Sequence, residues 1–263
     1  DRVSGAKVDM GAFERAVAEV NPLSCQFAAV ERDGVQVLQA VLQVALEGDN
    51  TDIVDYFWDF GDGSVTNGSD LGEVAHLYAP GFYTVTLKVK NTDDEEAQVT
   101  RINYIRVLPE TAYVSLTGQS VPPYLDWTTA ATNLQDAIDL HTGKVLVDTG
   151  TYTVAKQVIV GHALELSSRA GAAATIIDAA LSGRVLQVVD PGAVVRGLTI
   201  KGGRLNTFDH GGAGLDLQAG VVSNCVITGN SGYTQGAGVR LAGGLLMACE
   251  VTGNAATSPS PGY

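Results

Sequence analysis

Cations, cysteine pairs and long apolar runs are what this 263-residue sequence lacks. Sixteen Lys and Arg stand against 29 Asp and Glu, a formal net charge of −13. With so few cations to displace counterions from phosphates, nucleic acid is not an expected partner. The three cysteines, Cys25, Cys225 and Cys249, are odd in number and far apart. None stands in a CxxC pair, which removes the spacing of a structural zinc site and the density of a disulfide-stapled miniprotein. No apolar run approaches the ~20 residues that cross a bilayer, and no basic-then-apolar leader opens the chain. Membrane insertion is therefore not expected, and the chain reads as mature or as a piece of something longer. What is present is a 45% hydrophobic content, ample for cores, at a length that suggests about two domains.

Strand patterns dominate the first part. Val35 to Leu46 is a Val/Leu/Ala/Gln run, and from Tyr83 to Lys90 apolar and polar residues alternate, so Tyr83, Val85, Leu87 and Val89 share a face. Turn clusters punctuate these runs at Glu47-Gly-Asp-Asn-Thr-Asp52, Asn67-Gly-Ser-Asp70 and Asn91-Thr-Asp-Asp94. The segment 21–109 is read as a β-sandwich. Within it, Trp58-Asp-Phe-Gly-Asp-Gly-Ser64, then His76-Leu-Tyr78, then Gly81 to Val89 resembles the PKD domain, an immunoglobulin-like sandwich. Trp58 and Phe60 alternate inward, while Gly61 and Gly63 permit a tight turn that Asp62 can hold by hydrogen bonding. The resemblance implies an extracellular spacer or adhesion module without catalytic residues.

After Pro109 the pattern changes, and 110–263 is read as a second domain. Thr128 to His141 reads as a helix, with Ala131, Leu134, Ala137, Ile138 and His141 on one stripe. Short strands then repeat. Val194 to Gly203, Val221 to Asn230 and Leu245 to Asn254 align, the last two ending in Thr-Gly-Asn, and Gly212-Ala-Gly-Leu-Asp-Leu217 recurs as Gly236-Ala-Gly-Val-Arg-Leu241. A period near 24 residues predicts a β-solenoid whose equivalent side chains stack ~4.8 Å apart. Leu198, Cys225 and Cys249 then form one inward column, and Ile200, Ile227 and Val251 another. The two thiols are read as core filler in preference to a redox pair. Asn and Gly of the Thr-Gly-Asn ends are read as left-handed turn residues.

Trp127 to Ile138 followed by Gly143 to Tyr152 resembles the entry of a right-handed parallel β-helix of the pectate-lyase-like, choice-of-anchor type of bacterial surface protein. The expected fold is therefore all-β, a sandwich joined to a β-helix whose first coil is plugged by a capping α-helix. Asp1 to Glu14, with Val8-Asp9-Met10-Gly11-Ala12-Phe13, is similar to the closing string of the same family. Residues 1–20 thus read as the tail of a preceding β-helix, with an ordinary linker strand as the alternative.

Candidate sites are few. Asp209 and His210 lie in a loop beside Lys201, Arg204 and Asp216, and a general base with a cation can be assembled from them. The strings of the β-helix glycosidases are absent, so an ordinary loop is the favoured reading and no catalytic constellation is assigned. His76 reads as a structural hydrogen-bonder, and His141 and His162 as isolated. No cofactor is called for. Acidic turns at Asp49, Asp52, Asp59 and Asp62 offer oxygen ligands for Ca²⁺ but lack EF-hand spacing, which favours solvated turns. Asn67-Gly-Ser69 fits the glycosylation sequon.

Two functions compete. The first is an extracellular or cell-surface structural or adhesive protein, of bacterial secreted type, that partners itself head-to-tail. In this reading Val8 to Phe13 of one copy adds as a strand to the open coil at Val251, Thr252, Gly253 and Asn254 of the next. The second is a polysaccharide-binding or polysaccharide-degrading β-helix, whose site lies on the solenoid flank or in coils outside this sequence.

Overall fold

A computed structural model describes residues 21–205, 211–232 and 236–256. Eight strands build the sandwich: β1 (Ser24–Ala29), β2 (Asp33–Val35), β3 (Leu38–Glu47), β4 (Ile53–Asp59), β5 (Val65–Gly68), β6 (Glu73–Tyr78), β7 (Gly81–Asn91) and β8 (Glu96–Leu108). They form a three-stranded sheet β1-β3-β6 facing a five-stranded sheet β2-β8-β7-β4-β5. Alternation decides what lies between them: Val85, Leu87 and Val89 turn inward onto Trp58, Phe27, Leu42 and Tyr78. Phe27 meets Trp58 edge-on at 5.3 Å, a favoured aromatic geometry.

The expected strand from Val35 to Leu46 is broken in two. Gln36 adopts φ +65°, and its N–H donates to the Leu108 carbonyl at 2.8 Å. That kink releases β2 from the three-stranded sheet and lets it pair in parallel with β8.

The solenoid opens with β9 (Thr111–Val114) and a short helix, α1 (Leu134–Ile138). The first coil comprises β10 (Lys144–Val147), β11 (Gly150–Thr153) and β12 (Val158–Val160), and the second β13 (Glu165–Ser168), β14 (Thr175–Asp178) and β15 (Leu186–Val188). The third holds β16 (Val194–Arg196), β17 (Thr199–Lys201), β18 (Arg204–Leu205) and β19 (Leu215–Leu217), and the fourth β20 (Val221–Ser223), β21 (Val226–Thr228), β22 (Ser231–Gly232) and β23 (Val239–Leu241). Strands β24 (Leu245–Met247), β25 (Glu250–Thr252) and β26 (Ala255–Ala256) begin a further coil. All pairings are parallel and in register, giving the sheets β24-β20-β16-β13-β10-β9, β11-β14-β17-β21-β25, β12-β15-β19-β23 and β18-β22-β26.

The expected columns are present: Ile200 pairs with Ile227 and Ile227 with Val251. Coil length, however, is not constant. Along the first of these sheets Lys144, Glu165, Val194, Val221 and Leu245 are successive partners, separated by 21, 29, 27 and 24 residues. The left-handed corners also differ from expectation. In the Thr-Gly-Asn ends it is Gly229 and Gly253 that take φ +65° and +62°, which leaves each Asn free for another role.

The helix is shorter than its 14-residue sequence stripe suggests, and the residues ahead of it explain why. The N–H groups of Gln119, Ser120 and Val121 donate to the carbonyls of Thr128, Ala130 and Thr129, and Asp126 Oδ1 accepts from Thr129 N–H at 2.8 Å, so that stretch is held as a turn and not as helix. Ala131 bridges Val114 in parallel and so continues the first sheet. Only then does Asn133 cap a helix, its Oδ1 accepting from Gln135 N–H at 2.9 Å. Leu134, Ala137 and Ile138 plug the core. Gln135 closes the β12 edge: its Oε1 accepts from Ile159 N–H (2.9 Å) and its Nε2 donates to Ile159 O (3.1 Å), standing in for a neighbouring strand.

Candidate functional site

Stacked coils bring residues far apart in sequence into one column, and this assembles a polar cluster on the β12-β15-β19-β23 sheet. Gln187 pairs with Asp216 and Asp216 with Arg240. Asp216 is only 2% exposed. Its Oδ2 accepts from Gln187 Nε2 (3.0 Å) and Gln218 Nε2 (2.8 Å), and its Oδ1 from Arg240 Nη1 (2.9 Å). Arg184 stands close by, donating to the Gly212 and Gly211 carbonyls and to Gln157 Oε1. Burial alone raises the Asp216 pKa, but the bonds from Gln218, Gln187 and Arg240 and the charge of Arg184 outweigh it and hold the carboxyl below its usual range. A carboxylate so fully bonded is fixed as an anion and makes a poor proton acceptor. The 24-residue recurrence of Gly-Ala-Gly aligns Asp216 with Arg240, but nothing in the sequence joins either to Gln187, which only the register across coils brings in.

Asp209 and His210 themselves lie outside the described residues, as do Val8, Asp9, Met10, Gly11, Ala12 and Phe13. Lys201 is engaged elsewhere, pairing with Asp178 on the preceding coil at 3.3 Å. Similar rung-to-rung pairs join Lys144 to Glu165 (3.3 Å) and Arg196 to Glu165 (3.1 Å).

In the sandwich, Asp59 and Asp62 shape the Gly-Asp-Gly turn. Asp59 Oδ1 accepts from Gly61 N–H and Asp62 Oδ1 from Ser64 N–H, each at 2.9 Å. A Cβ on Gly61 would stand 2.2 Å from Thr84 O, so the turn packs against β7 only as glycine. His76 Nε2 lies 2.8 Å from Asp62 Oδ2 while its ring stacks on Phe60 at 4.0 Å. Burial tends to raise the Asp62 pKa, but the bonds from His76 and Ser64 and the charge of His76 lower it. This histidine is thus a strut between the turn and β6. His76→Ala is expected to cost the sandwich about 1–2 kcal/mol, and adding Asp62→Asn is expected to cost little more, because the two side chains serve one bond; a double-mutant cycle of denaturation midpoints checks it.

Asp49 Oδ2 accepts from Asn21 N–H (2.9 Å), and Asp52 N–H donates to Asn50 Oδ1 (3.0 Å). Among the described residues no three His, Cys, Asp or Glu side chains converge as metal ligands would. His141 and His162 stack on each other at 4.2 Å, where burial and the facing ring lower the His162 pKa against the pull of Asp190 and Asp139. Asn67 of the sequon is exposed on β5.

The coil ends show what the Thr-Gly-Asn repeat is for. Asn230, 1% exposed, donates from Nδ2 to Ile200 O (3.1 Å), Thr228 O (3.1 Å) and Asn254 Oδ1 (2.9 Å), and its Oδ1 accepts from Gly203 N–H (2.8 Å). Asn254 repeats the pattern one coil on, donating to Ile227 O (2.8 Å) and Thr252 O (3.1 Å) and accepting from Asn230 N–H (3.0 Å). A Cβ on Gly214 would lie 2.6 Å from Asn230 Nδ2, and one on Gly238 would lie 2.6 Å from Asn254 Nδ2. Each Gly-Ala-Gly motif therefore leaves bare backbone against which the next coil's asparagine sits.

The last described coil has a different surface. Leu245 (50%), Met247 (49%) and Val251 (49%) are exposed. Leu245 N–H donates to Gly220 O, Asn224 N–H to Met247 O, and Glu250 N–H to Cys225 O. In a parallel ladder the alternate residues then point their amides the other way, so those of Leu246 and Val251 face outward without a strand partner among the described residues.

A search of curated proteins finds no match to this sequence. The family model of the PKD domain matches residues 28–107. The sandwich is therefore a PKD domain, and the chain joins it to a parallel β-helix of about four turns.

Proposed function

We propose that this chain is an extracellular structural or adhesive surface protein that assembles head-to-tail, the segment around Val8 to Phe13 of one copy adding as a strand to the last coil of the next. A PKD domain with a β-solenoid suits an extracellular structural or adhesive role at a coarse level. The observation that carries the assembly step is the outer edge of β24 and β25, which has no strand partner among the described residues, with the exposed Leu245, Met247 and Val251 beside it. Such an edge is a template for strand addition. The geometry of the sandwich supports a linear arrangement. Asn21 is held at one end of it, beside Asp49, while Leu108 leaves from the opposite end, beside Gln36. A contact between two different surfaces of the same chain is head-to-tail, and where its rotation does not close into a ring it builds filaments or tandem arrays.

The test is deletion of residues 1–14, with molar mass followed by light scattering as concentration rises. The full chain is expected to grow in mass and the deletion to remain a monomer with an unchanged circular dichroism spectrum. Equal masses for the two proteins overturn the assembly step.

A further inference from the structure

Cys225 and Cys249 occupy the same position in successive coils, directly ahead of the paired residues Val226 and Glu250. In-register neighbours of a parallel sheet are ~4.8 Å apart, inside the roughly 4.4–6.8 Å range of Cα separations that a disulfide spans. The two side chains are also oriented alike. Cys225 Sγ donates to Ser223 O and Cys249 Sγ to Met247 O, each at 3.2 Å and each two residues back. Cys225 N–H reaches Cys249 Sγ at 3.5 Å, so the second sulfur lies against the first residue. Both residues follow a left-handed corner, Asn224 at φ +52° and Ala248 at φ +47°, and stand outside the strands proper, where the backbone has more room to adjust. Their accessibility differs: Cys225 is buried and Cys249 half-buried.

We propose that Cys225 and Cys249 form an oxidisable pair that closes a disulfide between successive coils, with a small-molecule disulfide as the oxidant. Cys249, the accessible thiol, loses its proton and attacks one sulfur of the oxidant, forming a mixed disulfide and releasing one thiol. Cys225 then loses its proton and attacks the Cys249 sulfur, and the second thiol departs. Two protein thiols and one disulfide become one protein disulfide and two small thiols, so atoms and electrons balance. Burial pushes the Cys225 thiol up to about 11, which makes ring closure the slower step and speeds it as pH rises. The link ties the last described coil to the one before it, independently of whether copies assemble. Cys25, buried in the sandwich core, serves as an internal control.

The full chain is incubated with excess oxidised glutathione at about pH 8.5, then unfolded, alkylated and mapped by mass spectrometry. The expected products are a Cys225–Cys249 linked peptide and an alkylated Cys25. Amide exchange over 245–252 is expected to slow roughly tenfold or more on oxidation. Cys225→Ser is expected to stop at a glutathione adduct on Cys249. A full chain that retains glutathione on Cys249 with Cys225 still alkylated, that links either residue to Cys25, or that keeps both thiols free overturns the proposal.

Discussion

Replacing Asp216 with Leu is expected to destabilise the solenoid by about 3–5 kcal/mol, the usual consequence of removing one partner from a buried charge cluster. The carboxylate accepts from Gln187 one coil back, from Arg240 one coil on and from Gln218 just past its own strand. Without it three donors lose their acceptor at a position that is itself 2% exposed, and the positive charges of Arg240 and Arg184 lose the anion that offsets them. Asp216→Asn keeps the shape but not the charge, and is expected to cost about half as much. Chemical denaturation followed by circular dichroism reads both, and a loss below about 1 kcal/mol for the leucine variant would contradict the role given to this residue. The pH dependence has a definite sign. Because the folded pKa is depressed, the carboxylate's contribution is complete above its unfolded value near about 4 and drains away as pH falls through the folded value. The stability gap between wild type and Asp216→Asn is therefore expected to be flat from about pH 8 to about pH 5 and to shrink below about pH 4.

Asn230→Ala carries the second large effect. The side chain's loss leaves the Gly203 N–H and the Ile200 and Thr228 carbonyls without it, in a position that is 1% exposed. At about 1–3 kcal/mol for each abandoned buried group, with some relief by repacking, a total of about 3–5 kcal/mol is expected. Asn254 has the same residue type and nearly the same bonds but lies in the half-exposed last coil, where water can replace it. Asn254→Ala is therefore expected to cost about 1–2 kcal/mol. Equal losses at the two sites would show that the ladder does not draw its strength from burial.

Much of this architecture was readable from residues alone, because two periods announce it. Alternation along Tyr83 to Val89 and the Trp58 to Ser64 turn marked the sandwich, and the recurrence of Thr-Gly-Asn and of Gly-Ala-Gly marked the coils. What remained hidden depended on partners distant in sequence. Gln36 looks like any strand residue until β8 offers Leu108 O to its amide. The stripe from Ala131 to His141 has helical spacing, yet Ala131 finds a partner in Val114 and the chain ahead of Asn133 is drawn into the first sheet. Gly-Ala-Gly and Thr-Gly-Asn were visible as separate repeats, but that one accommodates the other follows only from seeing Asn230 against Gly214. The Asp216 cluster was legible in part: the Gly-Ala-Gly repeat aligns Asp216 with Arg240, but with coils of 21 to 29 residues the same offset does not reach Gln187, which lies 29 residues before Asp216.

The parallel pairing of β2 with β8 has a mechanical consequence. If tension enters ahead of Asn21 and leaves beyond Leu108, it runs lengthwise along the exit strand. The bonds from Arg106 N–H to Arg32 O (2.7 Å) and from Gln36 N–H to Leu108 O (2.8 Å) lie across that direction. They are strained together, in shear, and must give way nearly at once before β8 can slide. A sandwich threaded in this manner resists stretching by its unfolding rate more than by its equilibrium stability.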